Sequence, residues 1–142
     1  MIIPNDIKVY GNTNFRGDCP LEDAELMTFF NQIRIKYPDI AKVAIHPDNE
    51  GLILGTAHNA HIKQKAKGAI RNGAADIIIV GCPSFVCEMK RQDHTKSKWQ
   101  DGQLDFLQTS QELGAFVCVA LGYEAALNAV DYWLKIKNLR DI

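Results

Sequence analysis

The chain has 142 residues, enough for one domain with a single modest core, and 46% hydrophobic with 23% charged residues is ordinary globular composition, which excludes disordered and fibrous classes. Sixteen basic side chains against 17 acidic ones leave a net charge of -1, which argues against a uniformly basic polyanion binder. The longest apolar run, Ile77-Ile78-Ile79-Val80, is too short to span a bilayer. The first six residues lack the basic start and apolar stretch of a secretion signal, so a cytoplasmic protein without membrane contact is expected.

Residues 1–19, with Gly11-Asn12-Thr13-Asn14 and Gly17-Asp18, read as an irregular arm or short hairpin ahead of one domain over 20–142. A first helix is predicted over 20–37. Pro20 suits its first turn, Glu22, Asp23 and Glu25 suit the positive end of its dipole, and Pro38 stops it. Leu26, Phe29, Phe30 and Ile33 form its apolar stripe. Val43-Ala44-Ile45 reads as a short strand, followed by the turn-rich loop His46-Pro47-Asp48-Asn49-Glu50-Gly51. A polar, basic helix is predicted over 58–71, ended by Asn72-Gly73. Residues 76–80 read as a strand buried on both faces, and 85–90 return as its hairpin partner after Gly81-Cys82-Pro83-Ser84. A basic loop (91–98), a helix (100–113), a third strand (116–121) and a final helix (123–137) complete the chain. Helices and strands mixed in this order imply an α/β sandwich around a small mixed sheet.

The net charge conceals a polarised molecule. Residues 58–98 hold eight basic side chains against three acidic ones, a net of +5, and the segments on either side are each at -3. A concentrated basic patch binds a polyanion whatever the total. A solvated helix face beside a lysine-rich loop is the plainer explanation of the same count. The cysteines, Cys19, Cys82, Cys87 and Cys118, include no C-x-x-C pair, so four reduced, mostly buried thiols are expected rather than a metal centre or disulfide.

Asp76 opens the buried strand, and Glu88 and Lys90 sit two apart on the next, so they project from one face. Hairpin pairing would bring Asp76 near Glu88. Two carboxylates and an ammonium beside an apolar run are costly unless something compensates them. Mg²⁺ suits such a pair, being hard, oxygen-seeking and content with two carboxylates plus water and phosphate. Taken alone, the three residues also fit a salt bridge on the solvated edge of a strand.

The stretch Gly73-Ala74-Ala75-Asp76-Ile77-Ile78-Ile79-Val80, followed by Phe85-Val86-Cys87-Glu88-Met89-Lys90-Arg91, resembles the core motif of the PD-(D/E)XK nuclease superfamily. More specifically it is similar to the VRR-NUC family of virus-type replication-repair nucleases, over about residues 22–134. The likeness extends to the helix-1 acids in Leu21-Glu22-Asp23-Ala24-Glu25, the loop 46–51, the basic helix, and Gln103 in Asp101-Gly102-Gln103-Leu104. Ala75 stands where the family motif has proline.

The resemblance implies a restriction-endonuclease-like α/β sandwich and a metal-dependent endonuclease acting on DNA. Asp76 and Glu88 match its metal-binding carboxylates, with the Met89 backbone carbonyl as a further ligand. Lys90 matches the catalytic lysine and Gln103 the supporting glutamine. Glu22 matches the helix-1 acid and a possible metal ligand, with a helix-dipole charge as its structural reading and Glu25 as the alternative acid. Mg²⁺ is the implied cofactor and Mn²⁺ its substitute. Lys63, Lys65, Lys67 and Arg71 on the basic helix, with Arg91, Lys96 and Lys98 in the loop after Lys90, are the implied contacts to the DNA backbone. His58, His61 and His94 fit phosphate contact, proton transfer or no role at all, and His46 reads as structural. Stand-alone members of the family imply a homodimer cutting branched DNA such as four-way junctions in repair or recombination, and a phage-encoded origin is compatible. Three alternatives stay open: a sequence-specific or exonucleolytic enzyme of the same fold, a non-catalytic DNA-binding module, and a cysteine-based enzyme using Cys82 or Cys87.

Overall fold

Two runs of six residues without a turn former, Phe85–Lys90 and Phe116–Leu121, pair with each other along their whole length, and the sheet is assembled around them. The computed structural model describes residues 1–47 and 73–140. Strand β1 (Lys8–Tyr10) precedes α1 (Glu22–Lys36), α2 (Pro38–Ala41), β2 (Ala44–Ile45) and β3 (Ile77–Ile79). Then follow β4 (Phe85–Lys90), a 3-10 turn (His94–Lys96), α3 (Gln103–Glu112), β5 (Phe116–Leu121) and α4 (Tyr123–Arg140). The five strands lie in the order β1-β5-β4-β3-β2. β3 pairs antiparallel with β4 as the hairpin predicted, and β4 runs parallel to β5.

The sheet is therefore mixed and covered on both faces by helices, the α/β class expected. Alternation along β4 divides its residues between the two layers. Phe85, Cys87 and Met89 join the larger core with Leu26, Phe29 and Ile33 of α1 and Ala126, Ala129, Val130 and Trp133 of α4. Val86 joins the smaller core with Leu107 of α3, Val117, Val119 and Ile7. Glu88 and Lys90 share the Val86 side, so they face the layer that α3 covers.

Several elements differ from their predicted form. The arm is not irregular throughout, because Lys8–Tyr10 pairs in parallel with Cys118–Ala120 and becomes the edge strand beside β5. Only three residues pair, too few for an alternating pattern to register in the sequence. The rest of the arm is fastened by Asp93, which is buried and accepts from Gly17 N (3.0 Å), Thr95 N (3.1 Å) and Thr95 Oγ1 (2.6 Å). These donors hold its carboxyl down to about 2. Pro38 ends α1 but also begins the short α2, as a proline in a first turn can. The β3 strand is less enclosed than its apolar run suggests: Ile77 and Ile79 are buried, and Val80 is 64% exposed.

Two of the four thiols, Cys87 and Cys118, are buried and face each other across β4 and β5; Cys82 is exposed and Cys19 half-buried. "Mostly buried" therefore holds for half of them, and all four are free. The hydrogen bond with Cys118, then burial, pushes the Cys87 thiol well above its ordinary range, so it is a poor nucleophile. The basic helix over 58–71, with Lys63, Lys65, Lys67, Arg71, His58 and His61, lies outside the described residues.

Candidate active site

Asp76 stands immediately ahead of β3, one step beyond the pair Ile77–Cys87, and so lies opposite Glu88. Its Oδ2 accepts from the Met89 N–H at 3.0 Å, which ties the carboxylate to the β4 backbone. Its main-chain carbonyl lies 2.8 Å from Nδ1 of His46. A carbonyl can only accept, so that nitrogen carries the proton and donates. Gly73 (φ +80°), just upstream, allows the chain to pass α3 closely: a Cβ there would lie 2.3 Å from the Gly102 carbonyl carbon.

Glu88 and Lys90 are each only 1% exposed, which overturns the solvated-edge salt bridge as an account of them. Glu88 Oε1 accepts from Gln103 Nε2 at 3.0 Å. Glu88 Oε2 is buried and has no hydrogen-bond partner among the described residues. The Lys90 ammonium donates to Gln103 Oε1 (3.0 Å) and to the Lys98 carbonyl (2.9 Å). Gln103 Oε1 also accepts from Gln100 N at 2.8 Å, so three bonds fix which way its amide points. Gln103 thus bridges acid and lysine from the first turn of α3.

Glu22, at the start of α1, completes the cluster. Its Oε1 lies 3.8 Å from Lys90 Nζ and accepts from Ser97 Oγ at 3.0 Å. Lys90 Nζ is 3.9 Å from Glu88 Oε1, so the lysine stands between two acids without a direct hydrogen bond to either. Burial pushes the Glu88 carboxyl well above the usual carboxylate range, and the neighbouring Asp76 charge adds to this against the opposing pull of Lys90. Burial raises Glu22 too, opposed by Lys90 and by the Ser97 hydroxyl.

These side chains open into a cleft of about 680 Å³, lined among others by Glu22, His46, Asp76, Glu88, Lys90 and Gln103. Five residues from α1, the β3–β4 hairpin and α3 thereby meet in one place. Glu25 does not join them. It is 2% exposed and turned to the far side, where it accepts from Gln92 Nε2 (3.0 Å) and from the Tyr123 N–H that opens α4. Of the two helix-1 acids, Glu22 faces the cleft and Glu25 caps another helix.

Arg91, expected on the DNA backbone, donates instead to the main-chain carbonyls of Cys19 (2.6 Å) and Pro20 (3.1 Å), and so secures the chain leading into α1. Lys96 is at the surface, 3.8 Å from Asp18, and the Lys98 side chain is exposed. His94 points back to the Thr13 carbonyl at 3.1 Å. His46 lines the cleft rather than the core, which its place between a short strand and a proline did not disclose. Ser97 reaches Glu22 from 75 residues away, a contact with no local signature.

The donor set suits a hard cation. Asp76 and Glu88 offer carboxylate oxygens, and Glu88 Oε2, buried without a hydrogen-bond partner among the described residues, is an acceptor that a hard cation would satisfy. Among the described residues no three His, Cys, Asp or Glu side chains converge on one point, so a cation here would rest on two carboxylates and take its other oxygen donors from elsewhere.

No model of a known protein family matches the chain, and no curated protein matches it in sequence. A solved structure titled "VRR_NUC domain protein" matches it in fold with a TM-score of 0.62 at 16% identity, over 85% of this chain and 92% of that one. At that identity the shared property is the fold, an α/β architecture with its mixed sheet between helices.

Proposed function

We propose that the chain is a metal-dependent endonuclease that hydrolyses DNA phosphodiester bonds, with branched DNA such as four-way junctions as its substrate. The observation that carries this reading is the adjacent pair Asp76 and Glu88, with Glu88 Oε2 buried and without a hydrogen-bond partner among the described residues, beside a buried lysine. A neighbour in fold titled as a VRR_NUC domain protein supports it. Mg²⁺, or Mn²⁺ in its place, held by Asp76, Glu88 and the Met89 carbonyl, would polarise the scissile phosphate and lower the pKa of the attacking water.

The chain's own residues do the positioning. Asp76 is locked by the Met89 N–H, so its other oxygen keeps a fixed direction. Gln103 holds Glu88 and Lys90 at a constant separation, which keeps acid and ammonium from collapsing into a closed ion pair. An ammonium has three donors. Two of those of Lys90 are spent on Lys98 and Gln103, and the third is available to a phosphate oxygen as charge builds on it. Glu22 places a second acid on the other side of the lysine, where a water or a second cation contact would sit. Lys96 and Lys98 flank the site at the surface and are assigned to the phosphate backbone.

The test is a cleavage assay on linear, flapped, splayed and four-way DNA with Mg²⁺ or Mn²⁺. Wild type is expected to cut and Lys90→Ala to cut about 10²–10³-fold more slowly. Loss of cutting on every substrate, or a Lys90→Ala variant as fast as wild type, removes the catalytic assignment. Preference for one base sequence, or stepwise loss from an end, would move the enzyme to a restriction-type or exonucleolytic habit of the same fold.

A further inference from the structure

Four consecutive residues, 97–100, each deliver one contact to the cleft. Ser97 Oγ accepts from Arg91 N (3.0 Å) and donates to Glu22 (3.0 Å). The Lys98 carbonyl accepts from the Lys90 ammonium, and Gln100 N donates to the same Gln103 oxygen that Lys90 uses. Trp99 contributes the face of its ring, with the Lys90 ammonium 5.1 Å from the ring centroid. The indole is itself anchored: its Nε1–H donates to the Ile2 carbonyl at 2.7 Å. A lysine on four rotatable bonds is a poorly directed donor unless each approach to it is filled. Here two hydrogen bonds fix the nitrogen from one side, and the negative face of the indole attracts the cation from another.

We propose that Trp99 is a positioning residue for the reaction: its ring, tethered to the Ile2 carbonyl, holds the Lys90 ammonium where it can meet the substrate. The inference rests on the nuclease reading for its consequence in turnover, but the contact stands on geometry alone. Tethering of the indole from a separate segment keeps the ring plane fixed while substrate enters, which a free surface tryptophan would not do. Replacing the ring by an aliphatic side chain leaves the two hydrogen bonds of Lys90 but removes the wall that limits its swing. Turnover then falls while binding of the DNA backbone, made elsewhere, does not.

The experiment combines kinetics with a stability cycle on the full chain. Trp99→Leu is expected to lower kcat about tenfold with KM within twofold, and Trp99→Phe, which keeps an aromatic face but loses the tether, to fall between Trp99→Leu and wild type. Urea midpoints of Trp99→Leu, Lys90→Met and the double variant are expected to be non-additive, Trp99→Leu shifting the midpoint less once Lys90 is gone. An unchanged kcat in Trp99→Leu, equal losses in Leu and Phe, or strictly additive midpoints would overturn the proposal. If Trp99→Leu does not fold, the acrylamide-accessible fluorescence of Trp99 decides: it changes on Lys90→Met if the ring holds the ammonium and stays constant if it does not. A wild type that cuts nothing defeats the nuclease reading, and the midpoints and fluorescence still decide whether Trp99 holds Lys90.

Discussion

Glu88 is held in a position that its own charge opposes. It is enclosed on β4, its Oε1 is satisfied by Gln103, and its Oε2 has no partner among the described residues. Burial and the adjacent Asp76 raise its pKa above the ordinary carboxylate range, so the native state takes up its proton more readily than the unfolded chain. The resulting stabilisation is fully present below the unfolded value of about 4.3 and is lost as the pH rises through the folded value. Metal-free protein is therefore expected to lose urea resistance as the pH rises above the unfolded value of about 4.3, and Mg²⁺ to restore it. Urea midpoints with Mg²⁺ and with a chelator check both directions. Glu88→Gln is expected to abolish cleavage and to remove the loss of metal-free stability with rising pH, because the amide takes away the titrating buried carboxyl and the cation contact together. A variant that still cuts, or whose metal-free stability still falls as the pH rises, would contradict this.

At the scale of elements, α1 supplies two acids one turn apart with opposite tasks. Glu22 faces Lys90 across 3.8 Å, whereas Glu25 accepts the N–H of Tyr123 at the start of α4 and the amide of Gln92. A carboxylate at a helix N-terminus satisfies donors that the helix leaves free and complements its dipole. Glu25→Ala is expected to cost about 2 kcal/mol in unfolding free energy, since bonds to a charged acceptor are lost in a buried place. Glu22→Gln is expected to cost less than half of that and to lose most of the cleavage. Chemical denaturation beside the cleavage assay separates the two, and a reversed pattern would exchange their roles. Gly122 (φ +95°) is part of the same joint, because a Cβ there would come within 2.9 Å of Glu25 Oε2.

For the whole molecule, the cleft lies where the start of α1, the β3–β4 hairpin and the start of α3 converge. One cleft serves one strand, so paired cuts at a junction call for two copies related by a two-fold axis. A solution mass of twice 15.9 kDa is expected at working concentrations, measured by light scattering. A monomer that cuts both strands of a junction at once would rule the pairing out. Of the eight basic residues of the +5 segment, Lys63, Lys65, Lys67 and Arg71 lie outside the described residues, Lys90 is committed to the cleft and Arg91 to the arm, so the backbone contacts assigned among the described residues reduce to Lys96 and Lys98.

Local pattern alone carried much of this molecule. The period-two run of β4 placed Glu88 and Lys90 on one face, the turn after the apolar run made the hairpin, and the glycine-flanked helices and strands implied the mixed sheet. These follow from residue spacing, because backbone periodicity is set within a few residues. Tertiary structure decided what spacing cannot express. It showed that Glu88 and Lys90 are enclosed rather than solvated, that Glu22 rather than Glu25 faces the cleft, and that Arg91 and Asp93 fasten the arm. It also brought His46, Ser97 and Trp99 to the same place. Each of those depends on which face of a distant element packs against β4, and that is a property of the assembled layers and of no single stretch of chain.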